Sequence, residues 1–374
     1  MFMRVLIVNT TERTGGAAIA ANRLAKALRQ EGVEVATATR KGRWAFYWER
    51  LRIALANRSR KNLWLVDIAN RGEDITKTSA FREADVVHLH WVNQGFLSLG
   101  TIEKILRSGK RVVWTLHDQW PYAGICHYAE GCDRFQTACH RCPQLAHPGA
   151  RDLSHKVFEA KRRIYGQGNI TFVGCSQWIA DEARRSALTK GQRVVAIPNA
   201  IDHTVFRPIP KREARRQFGL PEEGPIVLFI CQKVTDVRKG VRYLDEAMKQ
   251  LPDVRVIRVG KGGDYEIREE QRMALLYAAA DVFVTPSLQD NLPNTIVEAM
   301  SCGTPCVGFR VGGIPEMIHH QTDGYVARYR DANDLAQGIR YVLSHPELSE
   351  AAARYARETY DEHRVAQLYM KEYE

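Results

Sequence analysis

The sequence contains no apolar run that approaches the ~20 residues which a helix needs to cross a lipid bilayer, and this excludes an ordinary membrane-spanning helix. Its start, residues 1–9, has too short an apolar stretch for a secretion signal and instead predicts a first buried strand. The composition also lacks bias, since 45% of the residues are hydrophobic and 26% are charged, as in ordinary globular proteins. We therefore expect a globular protein in the cytoplasm.

Negative charge is scarce in the first half of the chain. Residues 1–206 hold 31 Lys and Arg against 18 Asp and Glu, a balance of +13, whereas the remainder holds 23 against 25, a balance of −2. A basic first half suggests an anionic partner there, and nucleic acid, an anionic membrane surface and an acidic acceptor all fit. A basic surface that only keeps the protein in solution fits equally well.

Strand-like and helix-like segments alternate along the whole chain, which predicts parallel sheets with crossover helices. At 374 residues the chain is long for one core, and the prolines at 208 and 210 suggest a boundary near residue 206. We predict an α/β protein of two doubly wound Rossmann-like domains, 1–206 and 207–359, followed by a helix at 360–374. The predicted strands are 4–9, 34–39, 85–90, 111–117, 170–175, 194–197, 225–230, 254–259, 281–285, 304–309 and 324–326.

Two carboxylates lie eight positions apart, at Asp290 and Glu298, across a polar turn that follows the predicted strand 281–285 and opens a helix. Such a turn presents backbone N–H groups to a phosphate, and the two acids can reach hydroxyl groups beside it. The pattern therefore suits a ligand that is part sugar and part diphosphate. The alternative is a capped helix start with an ordinary surface residue at Glu298.

This run, from Asp290 to Glu298, resembles the acid–seven residues–acid signature of the family 4 glycosyltransferases, with Asp290 where Glu is usual. The resemblance covers nearly the whole chain. It implies the GT-B fold, in which two Rossmann-like domains face a central cleft, and a retaining reaction that needs no cofactor for its chemistry. The second domain would bind a nucleotide diphosphate sugar, and the first would bind a glycan or glycolipid acceptor. The last helix, 360–374, would return to the first domain. No nucleic-acid partner is then expected.

The resemblance also implies roles for individual residues. Lys233 and Lys239 flank the loop after the first strand of the second domain, where cations can neutralise a departing diphosphate. His117 and Asp290 would contact the transferred sugar, and Glu298 would accept hydrogen bonds from ribose hydroxyls. The catalytic residues are thus His117, Asp290 and Lys239, and the donor-binding residues are Gly15, Gly16, Lys233, Lys239, Asp290, Asn291, Leu292, Pro293, Asn294, Thr295 and Glu298.

Several of these residues have simpler interpretations. The pair Gly15 and Gly16 lets the backbone approach a ligand, but it also suits a plain tight turn. His117 follows a strand, where a histidine is often only a structural hydrogen-bonding group. His88 and His90 lie in a predicted buried strand, where core roles are favoured over catalysis. Residues 311–316 also resemble the family and are expected to shape the loop packing near the site.

The cysteines are clustered, since four of the eight lie within residues 126–142. In a reducing cytoplasm such a cluster is more suited to a structural zinc ion than to disulfides, and free thiols are a third interpretation. The segment 117–143 is similar to a bacterial subgroup of the family that acts in surface polysaccharide synthesis. The predicted zinc ligands are Cys126, Cys132, Cys139 and Cys142.

Residues 43–61 are both aromatic and basic. They suit a segment that lies in a membrane interface, which would place the protein peripherally on the inner face of the cell membrane. A core-facing helix with a wet basic side is the alternative. For the whole chain, a GT-B sugar-nucleotide epimerase or hydrolase and a non-catalytic, zinc-containing basic binding module remain alternative functions.

Overall fold

The computed structural model describes residues 3–59 and 63–374 of the chain. The chain divides into two compact units, of which the first comprises Met1–Ile197 with Val365–Glu374 and the second comprises Pro198–Arg364. The predicted boundary after residue 206 falls inside the second unit. The predicted last helix contributes residues 365–374 to the first unit.

The first unit is built on a six-stranded sheet with the order β2-β1-β3-β4-β5-β6. Every pairing in this sheet is parallel. The strands are β1 (Arg4–Val8), β2 (Glu34–Ala38), β3 (Val86–Leu89), β4 (Arg111–Leu116), β5 (Ile170–Gly174) and β6 (Arg193–Ala196). The helices are α1 (Gly16–Gln30), α2 (Trp44–Ala56), α3 (Ser79–Glu83), α4 (Leu99–Arg107), α5 (Leu153–Tyr165) and α6 (Gln177–Arg185).

The central strands of this sheet are buried along almost their whole length, as expected for strands covered on both faces. Aromatic side chains fill one side of the sheet. The Trp114 ring stacks on Phe172 with centroids 6.0 Å apart, and Tyr165 meets the Trp114 ring edge-on at 6.0 Å. The apolar strands and this aromatic layer together form the core of the first unit.

The second unit contains a five-stranded parallel sheet with the order β11-β10-β9-β7-β8. Its strands are β7 (Ile226–Lys233), β8 (Arg255–Lys261), β9 (Val282–Thr285), β10 (Cys306–Phe309) and β11 (Gly324–Ala327). Its helices are α7 (Lys211–Gln217), α8 (Val241–Met248), α9 (Glu270–Ala279), α10 (Asn294–Ser301), α11 (Ile314–Met317), α12 (Ala332–Ser344) and α13 (Leu348–Tyr360). The last helix, α14 (Glu362–Tyr373), begins in this unit and lies mostly in the first.

Each of the predicted strands coincides with an observed strand, and the predicted α/β class with two doubly wound sheets is confirmed. In the second sheet the strand order reverses at β7, because β8 pairs on one side of it and β9 on the other. Ligands of open α/β sheets bind at such a switch point, outside the carboxyl ends of the strands. The loops after β7 and β9 are therefore where a ligand of this sheet is expected.

The end of α14 packs on the first sheet through two tyrosines. The hydroxyl of Tyr373 lies 2.7 Å from His88 Nδ1, and that of Tyr369 lies 2.9 Å from Thr115 Oγ1. The other ring nitrogen of His88 is 2.8 Å from the same Thr115 oxygen. His88 is fully buried with both nitrogens hydrogen-bonded, so it serves the core.

Candidate functional site

The loops after β7 and β9 are joined to each other by backbone hydrogen bonds. The Leu288 N–H donates to the Arg238 carbonyl at 2.7 Å, and the Arg238 guanidinium donates to the Gln289 carbonyl at 3.0 Å. Gly240 has φ +70°, and a Cβ there would lie 1.9 Å from the Pro286 carbonyl oxygen. Glycine is required at 240 on both counts, so the turn that carries Lys239 is pressed against the turn that carries Asp290.

An ion pair lies where these two loops meet. Lys239 Nζ donates to Asp290 Oδ2 at 2.5 Å, and Ser287 Oγ donates to the same oxygen at 3.1 Å. Burial raises the pKa of Asp290, but the positive charges of Lys239 and Arg238 outweigh it and bring the pKa below its ordinary value. The carboxyl group is therefore ionised at neutral pH, and it holds the ammonium group at the switch point of the sheet.

Glu298 lies one helical segment further along, in α10. Its side chain is buried, with 6% of the residue exposed, and Tyr277 Oη donates to Glu298 Oε2 at 2.8 Å. An ordinary surface glutamate at this position is therefore excluded. The helix begins at Asn294, directly after Pro293. The first N–H groups of a helix have no acceptor within it, so this end can face an anion.

A third loop, after β10, braces the turn from the other side. The Gly313 N–H donates to the Asn291 carbonyl at 2.9 Å. Gly312 has φ +57°, and a Cβ there would lie 1.7 Å from the Asp290 carbonyl oxygen. Residues 311–316 therefore fix the backbone of the turn, as the sequence led us to expect.

Only some of the predicted donor-binding residues contact one another in the structure. It brings Lys239 and Asp290 into contact, whereas Lys233 stands at the exposed end of β7, paired in register with Lys261. In the first unit, Gly15 has φ +94° and its carbonyl caps α1 by accepting from the Ala18 N–H at 3.1 Å. A Cβ at Gly15 would meet no atom within 4 Å, so only the backbone angle favours glycine. Gly16 is the first residue of α1.

His117 directly follows β4 and contacts a second histidine. Its Nε2 lies 2.9 Å from His90 Nδ1, and the two rings stack with centroids 5.2 Å apart. Burial lowers the pKa of His117 to about 4, although the neighbouring Asp118 opposes this shift. The imidazole is therefore neutral at physiological pH and is a weak base.

A buried network of charged groups connects α2 to Asp118, the residue next to His117 in the sequence. Asp118 Oδ2 lies 2.7 Å from His127 Nδ1, and His127 Nε2 lies 3.0 Å from Asp67 Oδ2. Arg50 of α2 donates to the other Asp67 oxygen. Burial lowers the pKa of His127, but the two carboxylates outweigh it and raise the pKa to about 9. His127 is thus a buried cation between two anions.

The same network of buried charged groups includes a glutamic acid that stays protonated. Glu49 Oε1 accepts from the N–H groups of Ile68 and Ala69 at 3.0 and 2.5 Å. Burial and, after it, the nearby negative charge of Asp67 raise the pKa of Glu49 to about 9. This network could not be predicted from the sequence, because its members come from four separate segments of the first unit.

The Cys-rich loop contains free thiols. None of the eight cysteines, all of which lie within the described residues, forms a disulfide, which contradicts the disulfide interpretation. Burial raises the pKa of the Cys126 thiol well above its ordinary value and that of Cys139 to about 12. In residues 3–59 and 63–374, no three His, Cys, Asp or Glu side chains are grouped so as to hold a metal ion. The zinc site at Cys126, Cys132, Cys139 and Cys142 therefore stays a prediction, which elemental analysis of the purified chain tests.

A lysine holds the turn that directly precedes the Cys-rich loop. Lys161 Nζ donates to the carbonyl oxygens of Trp120, Ala123 and Gly124 at 2.5, 3.0 and 3.0 Å. The same ammonium group lies 3.4 Å from the centroid of the Trp120 ring. Its three N–H donors are thus matched by three acceptors. Because Lys161 belongs to α5, this helix fixes the turn that follows His117.

Nothing among the described helices is both long and apolar enough to pass through a membrane.

Two family models match the chain. Residues 14–205 match the model described as Glycosyltransferase Family 4, and residues 224–345 match the model described as Glycosyl transferases group 1. The second match spans the loops that carry Lys239, Asp290 and Glu298.

Curated relatives are glycosyltransferases. The chain is 27% identical over 305 residues to a D-inositol 3-phosphate glycosyltransferase of Geodermatophilus obscurus, an alignment that covers 72% of this chain and 62% of the relative. It is 24% identical over 322 residues to WcaC of Escherichia coli K12, named for colanic acid biosynthesis, with 80% and 76% covered. The chain thus spans about three fifths of the length of the inositol-phosphate relative.

Solved structures share the fold. Sucrose-phosphate synthase from Thermosynechococcus elongatus superimposes with a TM-score of 0.69 at 20% identity, over 99% of this chain and 98% of that one. HepE of Anabaena, in complex with UDP-glucose, gives 0.64 at 17% identity, again over 99% and 98%. With the fold and both family models in agreement, the chain belongs to the family 4 glycosyltransferases and has the GT-B fold.

Proposed function

We propose that the chain transfers a sugar from a nucleotide diphosphate sugar to a glycan or lipid-linked glycan, with retention of the anomeric configuration, in the synthesis of a surface polysaccharide. The observation that carries this proposal is the Lys239–Asp290 ion pair at the switch point of the second sheet, which is followed in α10 by the buried Glu298. Cation, helix N-terminus and carboxylates lie in one unit and suit the diphosphate and the sugars of such a donor.

In this proposal the positive charge is positioned before the reaction begins. Asp290 holds the Lys239 ammonium group, and Arg238 is held by the Gln289 carbonyl at 3.0 Å. A diphosphate gains negative charge as the bond to the sugar breaks. Donors already aimed at that charge stabilise the transition state without having to reorganise, which is commonly the largest single contribution to catalysis.

Glu298 would bind the ribose of the nucleotide. Tyr277 donates to Oε2 and so fixes the orientation of the carboxylate. An ionised carboxylate accepts several hydrogen bonds, so it can receive further ones from a pair of ribose hydroxyls. A buried, oriented acceptor of this kind discriminates in favour of ligands that carry those hydroxyls, because a ligand without them leaves a buried charge unsatisfied.

His117 would contact the transferred sugar without serving as a general base. An efficient general base has a pKa near the working pH, whereas burial lowers the pKa of His117 to about 4. A retaining reaction suits a weak base at this position, because the departing phosphate oxygen can take the proton of the acceptor. An inverting reaction would need a stronger base.

The nature of the acceptor is supported by the relatives. WcaC is named for colanic acid biosynthesis, and this favours a glycan acceptor. The inositol-phosphate relatives favour a small phosphorylated acceptor instead, so both classes belong in the test. The balance of +13 in residues 1–206 suits either, since a phosphorylated polyol and a lipid-linked glycan diphosphate are both anionic.

The test is a transfer assay with a panel of uridine, guanosine and adenosine diphosphate sugars. Each is offered with a lipid-linked glycan, with inositol 3-phosphate and with no acceptor. We expect transfer from one donor to an acceptor, and nuclear magnetic resonance of the first product should show the donor's anomeric configuration. Turnover of the donor at the same rate without acceptor would instead favour a hydrolase or epimerase, and an inverted product would reject the retaining mechanism.

A further inference from the structure

Helix α2 turns its apolar side chains outward. Trp44 is 64% exposed, Tyr47 57%, Trp48 39%, Leu51 54% and Leu55 78%. Their spacing of three and four residues places all five on one stripe of the helix. A stripe of this kind ordinarily packs on a core, and here it faces solvent.

The opposite side of α2 fixes this orientation. Ala45, Phe46, Glu49 and Ile53 are buried, and Glu49 accepts two backbone hydrogen bonds from residues 68 and 69. Arg50 forms an ion pair with the buried Asp67. The helix cannot rotate its apolar stripe inward without breaking these bonds, so the exposure is built into the unit.

Two exposed side chains outside the helix lie close to α2. Trp64 is 57% exposed and stacks on Phe46, on the buried side of α2, with centroids 6.0 Å apart, so it flanks the stripe. The Arg71 guanidinium lies 5.0 Å from the ring centroids of both Trp44 and Trp48. Aromatic rings with a guanidinium between them are amphipathic, which is typical of side chains that sit at the level of lipid head groups.

The charge around the stripe has one sign. Arg43 precedes α2, Arg52 lies within it and Arg58 follows it, and all three are exposed. The only acidic residue of α2 is Glu49, which is buried. Glu73, which follows α2 in the chain, accepts the backbone N–H groups of Lys41 and Gly42, just before the helix, at 2.8 and 2.7 Å. The surface is thus apolar along its centre and basic along its rim.

We infer that α2, with Trp64 and Arg71, is a docking surface for an anionic lipid membrane. Trp44, Trp48 and Leu55 enter the interface between head groups and acyl chains, and Arg52 and Arg58 contact lipid phosphates. This goes beyond the proposed transfer reaction and does not depend on it. It adopts the membrane-interface interpretation of residues 43–61. Residues 60 and 61 of that segment lie outside the described part of the chain.

A second copy of the chain is a poorer occupant of this surface. A two-fold dimer brings the same patch of both copies together. The arginines of the rim, Arg43, Arg52 and Arg58, would then lie in an interface to which both copies bring the same positive charge, and like charges across an interface disfavour association. An anionic lipid surface supplies both the apolar and the negative component that the patch lacks.

Sedimentation with vesicles tests the inference. The chain is mixed with vesicles of phosphatidylcholine alone and with vesicles that also contain phosphatidylglycerol, at low and at high salt. We expect binding only to the anionic vesicles, weakened by salt, together with a blue shift of the tryptophan fluorescence. The affinity of the variant Trp44→Gln/Leu55→Gln for the vesicles should fall by about tenfold or more, because two exposed apolar anchors are lost.

A matched pair of charge reversals separates the surface from net charge. Arg52→Glu should weaken binding about fivefold or more, since each basic residue at the lipid surface contributes on that order. Arg354→Glu makes the same change on an exposed position of α13 in the other unit and should leave binding unaltered. Melting temperatures of all variants should match that of the unmodified chain, because every substituted side chain is exposed.

Four results would count against the inference. One is the absence of binding to anionic vesicles, and another is equal binding to both kinds of vesicle. The third is a dimer in solution that dissociates on Trp44→Gln/Leu55→Gln, which would identify a second copy as the occupant. Equal weakening by Arg52→Glu and Arg354→Glu would also count against α2, because it would mean that only the net charge matters.

Discussion

Lys239 and Asp290 lie 51 positions apart in the chain, yet their charged groups are 2.5 Å apart. They meet because β7 and β9 are neighbours in the sheet, so the loops that follow the two strands emerge side by side. Neither residue is fully exposed, at 22% and 13% of the side chain, so solvent weakens the pair less than it weakens a surface ion pair. The pair links the fold of the second unit to the proposed chemistry.

Replacement of the cation tests this link first. In Lys239→Ala the departing diphosphate loses a charge that was aimed at it, and we expect the barrier to rise by ~2.7–4 kcal/mol, or about a hundredfold to a thousandfold in rate. Initial-rate measurements with saturating donor give the value. Lys249→Ala, at an exposed position after the far end of α8, is the control and should retain activity. A Lys239→Ala enzyme as fast as the control would remove Lys239 from the mechanism.

The glycine that braces the turn gives a second prediction. Gly312→Ala would place a Cβ 1.7 Å from the Asp290 carbonyl oxygen, so the turn must move. Gly219→Ala introduces the same backbone strain, at φ +58° against +57°, but its Cβ meets no atom within 4 Å. The control should cost ~1–2 kcal/mol of stability, as expected for a left-handed residue. We expect Gly312→Ala to cost clearly more and also to weaken donor binding.

Equal losses of stability in the two glycine variants, measured by chemical denaturation, would show that backbone strain alone matters. Unchanged donor affinity in Gly312→Ala would show that the brace does not serve the site.

Most of the fold could be predicted from the sequence, whereas most of these contacts could not. Apolar runs and the alternation of strand and helix are local properties, so β7 to β10 were predicted within a few residues of their ends. The bond between Tyr277 and Glu298 depends on the packing of α9 against α10, which no local pattern encodes. The acid spacing indicated Glu298 as a binding residue, but it gave no sign of the tyrosine that orients it.

Helix α2 shows the limit from the other direction. An apolar stripe at helical spacing ordinarily predicts the core-facing side, and this was one interpretation of residues 43–61. In the structure Phe46 and Ile53 do face the core, but the stripe that contains Trp44 faces solvent. The reason is that Glu49 and Arg50 are anchored to residues 67–69, which are distant in the sequence. Glu49 is buried because two backbone N–H groups donate to it inside the unit. Such distant hydrogen-bond partners cannot be predicted from the spacing of apolar residues.

The protonated Glu49 predicts a pH dependence of stability. The folded chain keeps this proton up to a pKa of about 9, whereas the unfolded chain loses it near 4.5. Stability contributed by the group therefore falls as the pH rises from about 4.5 to about 9, by up to ~1.4 kcal/mol per pH unit. Glu49→Gln keeps the neutral form and removes this loss.

Denaturation curves of Glu49→Gln and of the unmodified chain at pH 5 to 8 provide the measurement. We expect the difference in unfolding free energy to move steadily in favour of the variant as the pH rises. A difference that is constant across this range would mean that Glu49 is ionised in the folded chain.

The role of His117 can be tested by the form of the product. His117→Ala should lower turnover strongly, because a contact to the transferred sugar is lost, but the product should keep the same anomeric configuration. With a pKa of about 4, the imidazole should also produce no titration in the rate profile between pH 6 and 9. His147→Ala, an exposed position in the Cys-rich loop region, is the control. A limb in the rate profile near pH 7 that disappears in His117→Ala would identify His117 as a general base.

The most direct test of the proposed donor site is calorimetric titration of the chain with uridine, guanosine and adenosine diphosphates. Binding of one of these should be strong in the unmodified chain and in Lys249→Ala. It should fall about tenfold or more in Lys239→Ala and in Glu298→Ala, because each loses a charged hydrogen-bonding partner of the ligand. Binding of equal strength in all four proteins would contradict the placement of the donor between Lys239 and Glu298, and with it the proposed function of the second unit.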